Sequence, residues 1–104
     1  MLALHPEARD EYHAALAWYE ARRPAVAAAF DQAVMDALDA IAANPRAWPP
    51  VPGRRAAKLG VRRFVLRDFP YTIIFDIQEE LISVVAIAHM RRRPGYWLKR
   101  VESK

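Results

Sequence analysis

Tyr71-Thr72-Ile73-Ile74-Phe75-Asp76-Ile77-Gln78-Glu79-Glu80-Leu81-Ile82-Ser83-Val84-Val85-Ala86-Ile87-Ala88 is the stretch that decides the fold class. Tyr71, Ile73, Phe75 and Ile77 alternate with Thr72, Ile74 and Asp76, the period of a strand with two unlike faces. Gln78-Glu79-Glu80 is a short polar turn, so the next segment returns antiparallel. Leu81 to Ala88 is nearly all apolar and rich in Val and Ile, as in a central strand buried on both sides. The parity of Ser83 opposes that of Val84, which turns it toward the helices and makes it an improbable nucleophile. Upstream, Phe64 and Leu66 alternate with charged or polar neighbours, and Asp68-Phe69-Pro70 turns the chain into Tyr71.

Before these strands the period is helical. Ala8, Tyr12, Ala15, Leu16 and Tyr19 recur at threes and fours. Pro6 suits a first helical turn, Glu7, Asp10 and Glu11 suit the positive end of the helix dipole, and Arg22 and Arg23 suit the last turn. Pro24 ends that helix and opens another, striped by Phe30, Val34, Ala37, Leu38 and Ile41 and stopped at Asn44-Pro45. Two amphipathic helices so tightly joined form an antiparallel hairpin. Met1 to Leu4 reads as a short edge strand, Pro45 to Gly60 as a proline-stiffened loop, and Tyr96 to Val101 as one or two turns of helix. The expected fold is α+β: a short N-terminal strand, then a helical hairpin packed on one face of a small antiparallel sheet. Only loops and the tail are left for the other face.

The 104 residues leave room for one domain, 1–104, and at 54% apolar and 27% charged they are globular rather than disordered. Without cysteine there is no disulfide framework or thiol nucleophile, which suits a reducing cytoplasm. The apolar runs are too short for a membrane span, and the N-terminus becomes charged too soon for a signal peptide, so a cytoplasmic protein is expected. Residues 1–53 carry a net charge of −3 and residues 54–104 one of +7. Arg54, Arg55, Lys58, Arg62, Arg63 and Arg67 form one basic group, and Arg91, Arg92 and Arg93 another. Such a field attracts polyanions or an acidic protein.

The histidines His5, His13 and His89 lie in no ligand-spaced motif, and the three glycines stand alone, so no metal, cofactor or phosphate loop is expected. The remaining chemistry is in His89-Met90-Arg91-Arg92-Arg93-Pro94-Gly95-Tyr96-Trp97, directly after the central strand. Arginine there would stabilise a phosphorane charge while histidine or tyrosine moved protons. The same residues would equally clamp an acidic peptide or a DNA backbone. His89 also reads as a hydrogen-bonded histidine at a strand end, and Tyr96-Trp97 as packing of the tail onto the sheet.

Three stretches taken together resemble one family: His5-Pro6-Glu7-Ala8 leading to Trp18-Tyr19-Glu20; Phe69-Pro70-Tyr71; and Val85-Ala86-Ile87-Ala88-His89 with Arg91-Arg92-Arg93-Pro94 and Tyr96-Trp97. They are similar to the RelE/ParE superfamily of bacterial type II toxins, also called plasmid stabilisation proteins. The resemblance implies a growth-inhibiting toxin held inactive by a cognate antitoxin, acidic and partly disordered when free. ParE-like members poison DNA gyrase without doing catalysis. RelE-like members are metal-independent endoribonucleases that cut mRNA on the ribosome.

For this chain the nuclease branch implies Arg63, His89, Arg91 and Tyr96 as the catalytic set. The chain departs from that branch at Thr72 and Val65, where basic residues are usual, and this favours the ParE-like branch. Partner or nucleic-acid binding then falls to Arg54, Arg55, Lys58, Arg62, Arg67, Arg92 and Arg93. A third alternative is a non-toxic relative that only binds its antitoxin.

Overall fold

The structure, a computed structural model, describes residues 1–102. Strand β1 (Leu2–Leu4) leads into helices α1 (Pro6–Arg22) and α2 (Pro24–Ala43). A 3-10 turn (Pro45–Ala47) and a short helix α3 (Arg54–Leu59) precede β2 (Arg62–Val65), β3 (Tyr71–Gln78) and β4 (Leu81–His89), and α4 (Leu98–Glu102) closes the described chain. Pro6 and Pro24 each occupy a first helical turn, and His5 caps α1 by accepting from the Glu7 N–H at 3.1 Å. Arg23, in extended conformation, ends α1 and starts α2, giving the hairpin.

The four strands lie in the order β1-β4-β3-β2. β2, β3 and β4 pair antiparallel, whereas β1 pairs parallel to β4, so the sheet is mixed rather than wholly antiparallel. Parallel pairing follows from the connection: the helical hairpin separates β1 from the strands and returns the chain in the same sense. β4 is the central strand expected from its composition.

Opposite the Ile74/Phe75 step, β4 carries one extra residue, Val85, in a bulge. Ile82, Val84 and Ile87 consequently face the hairpin, with Ile73 and Phe75 of β3 and Phe30, Val34 and Ile41 of α2. Ser83, paired with Asp76 between Ile82 and Val84, lies on the opposite face, not toward the helices as its parity first implied.

That opposite face has a core of its own. Ile74, Val85, Ala86 and Ala88 pack against Ala56, Trp97 and Val101, so α3 and α4 cover much of it. The segment Pro45 to Gly60 is therefore more than a loop. Pro50 bridges to Arg62, and backbone bonds link Val51 to Val61 and Arg63 to Pro49, which closes the outer edge of β2. No described helix is long and apolar enough to cross a membrane.

Candidate functional site

β1 ends at Leu4, so β4 beyond Val84 has no strand on that side, and two side chains take its place. Glu11, on the inward face of α1, accepts from the Ile87 N–H at 3.0 Å. Arg100, from α4, donates to the Val85 carbonyl at 3.0 Å and to both Glu11 oxygens at 3.0 Å each. The Tyr96 hydroxyl donates to Glu11 Oε2 at 2.6 Å, and Arg92 reaches the same oxygen at 3.4 Å. The Arg92 guanidinium lies over the Tyr96 ring, 3.7 Å from its centroid, and Arg100 approaches to 5.1 Å.

A turn with Gly95 at φ +82° delivers Tyr96 to this position. A Cβ there would meet Leu98 Cδ1 at 3.0 Å. Burial, and then the bond to the Glu11 carboxylate, push the Tyr96 phenol well above the usual tyrosine range, and the two arginines only partly oppose this. Tyr96 is thus a protonated phenol whose hydroxyl proton is already committed.

His89, where β4 ends, accepts from the Arg91 N–H at its Nδ1 (3.0 Å) and stands edge-on to Tyr71, with ring centroids 5.0 Å apart. Its Nε2 has no hydrogen-bond partner among the described residues. Arg63 projects from β2 on the face of its register partner Ile74. Its Nε is buried without a hydrogen-bond partner. Arg63, Thr72, His89, Arg93 and Tyr96 line one open groove between the sheet and the strand-end loop. Arg91 does not line it; its side chain is exposed.

The other basic residues separate. Arg62 faces the hairpin side and donates to the carbonyls of Trp48 (2.6 Å) and Arg46 (3.3 Å), tying the proline segment to β2. Arg54, Arg55 and Lys58 are exposed on α3, where Arg55 pairs with Glu102. Arg67 is exposed in the β2–β3 turn. A second groove runs between α1 and the ends of β3 and β4, lined by Ala14, Trp18, Tyr71, Ile87 and Arg92, with Trp18 53% exposed.

Glu11 and Arg100 are the residues that sequence reasoning missed. Three residues after Ala8 and four before Ala15, both buried, Glu11 is a carboxylate on the inward stripe of α1; that placement was the available signal. Arg100 carried none, because its partner is 89 residues away.

A helical hairpin on one face of a small sheet, with a basic strand-end loop folded back against the first helix, is the architecture of a RelE/ParE-type toxin. Residues 2–94 match the family described as ParE toxin of type II toxin-antitoxin system, parDE, and the chain belongs to that family. No curated protein matches the chain significantly. Membership implies an antitoxin as partner.

Proposed function

We propose that this toxin stops growth by poisoning DNA gyrase, doing no chemistry of its own, and that an acidic cognate antitoxin neutralises it. It acts as a single domain, 1–104, in the cytoplasm and without a cofactor. The observation that carries this reading is the condition of Tyr96. Acid–base cleavage of RNA needs a group that releases and takes a proton near the working pH. Tyr96 instead has a strongly raised phenol bonded to Glu11, which favours a structural role. Thr72 and Val65, in place of basic residues, support the same conclusion.

The surface offered to partners is the exposed set Arg54, Lys58, Arg67, Arg91 and Arg93, whose side chains have no ion-pair partner among the described residues. Arg55, Arg62 and Arg92 are engaged within the chain and contribute less. A ribosome-dependent endoribonuclease is the second reading. It draws on Arg63, with its unpartnered Nε, sharing a groove with His89.

Purified gyrase with supercoiled plasmid, and ribosomes programmed with mRNA, separate the two. The toxin is expected to block supercoiling and accumulate cleaved DNA while leaving the mRNA whole. Cut mRNA with unaffected gyrase would reverse the order of the readings.

A further inference from the structure

Neither reading of the target gives Glu11 a part, yet four groups donate to its carboxylate. It is only 14% exposed, and the Ile87 N–H, the Tyr96 hydroxyl, Arg92 and Arg100 converge on it. A backbone amide, a phenol and two guanidinium groups around one point form the donor set that binds carboxylate or phosphate oxygens. Arg100 also meets Glu7 at 3.3 Å, but the Glu7 side chain is largely in solvent. The site exists because β1 stops short and leaves the Ile87 N–H and the Val85 carbonyl to side chains.

We propose that this is an oxyanion site occupied by the chain's own Glu11, an internal competitor that keeps Tyr96, Arg92 and Arg100 off external phosphate groups. A ligand carried on the same chain acts at an effective concentration of about millimolar or more. Free phosphate at ordinary concentrations therefore does not displace it. Glu11 becomes a specificity determinant: it removes an arginine–tyrosine pair from contact with RNA phosphates and leaves the exposed arginines for protein partners. That consequence rests on the binding-only reading of the toxin; the site itself does not.

Thermal unfolding of the full chain, in chloride and in phosphate at matched ionic strength, tests the proposal with inorganic phosphate as the probe. The wild type is expected to show only the general gain that phosphate, an excluded kosmotrope, gives over chloride. Glu11→Ala is expected to be stabilised by phosphate beyond the wild type, its folding constant rising about a further tenfold when phosphate is at ten times its Kd. Adding Arg92→Ala removes this excess, and Glu11→Gln, whose side chain still occupies the site, shows none beyond the wild type. Should Glu11→Ala not fold in chloride, phosphate is expected to restore its near-ultraviolet circular dichroism.

Equal phosphate responses of wild type and Glu11→Ala overturn the proposal, as does an unfolded Glu11→Ala that phosphate fails to restore. Gyrase inhibition by the wild type is read separately, so failure of the target assignment does not mimic failure of the site.

Discussion

Tyr96 shows how residue type and residue role part company. Its type, beside three arginines, fits phosphate chemistry, but its hydroxyl closes a bond to Glu11 and its ring carries Arg92. Tyr96→Phe is expected to lower stability by about 1 kcal/mol, the net worth of one hydrogen bond, in urea unfolding. Growth inhibition on induction is expected to survive it, whereas a nuclease would lose two or more orders of magnitude in rate. Arg62 and Arg93 make a second contrast. Arg62→Ala removes bonds to Trp48 and Arg46 and is expected to cost about 1–2 kcal/mol of stability, with little effect on antitoxin affinity. Arg93→Ala, on an exposed side chain, is expected to do the reverse: unchanged unfolding and a weaker, less salt-sensitive complex by calorimetry. The basic residues themselves were plain in the sequence. Which of them the fold consumes was not, because the carbonyls and the carboxylate that engage them come from distant segments.

At the scale of elements, legibility followed length and pattern. The long helices announced themselves through their stripes and prolines, and β3 through its alternation. Helix α3 did not, since six residues make fewer than two turns and show no stripe, and the prolines before it disguised it. The bulge in β4 was hidden for another reason: Val84, Val85 and Ala86 are all apolar, so a shift of face leaves no mark in the sequence. β1 was readable as a strand, but its parallel pairing with β4 depends on where the hairpin returns the chain. One residue makes α3 possible. Gly60 ends it in a left-handed conformation at φ +71°, its N–H bonding back to the helix. Gly60→Ala meets no neighbour within 4 Å, so its expected cost of about 1 kcal/mol is conformational and is read as a lower denaturation midpoint.

For the molecule as a whole, the four tyrosines make stability depend on alkali. Burial raises all four phenols; Tyr12 is pushed up to about 12 with help from Asp31 on α2, and Tyr96 is raised further by Glu11. Below the unfolded value of about 10 both states hold these protons, and the stabilisation is fully present. Above it the unfolded chain loses them first, so stability falls as pH rises toward the folded values. Phenolate absorbance at 295 nm is expected to appear together with loss of helical circular dichroism, rather than ahead of it. The same molecule divides its charge, −3 in residues 1–53 and +7 in residues 54–104, and in the second part it leaves several arginines exposed around a strand-end cluster that is internally satisfied. That division suits a toxin that binds rather than cuts. The most direct test is a short induction of this chain without its antitoxin in bacterial cells, with labelled thymidine and labelled methionine followed over the first minutes. A gyrase poison lowers thymidine incorporation first. An earlier fall in methionine incorporation, with DNA synthesis intact, would contradict it.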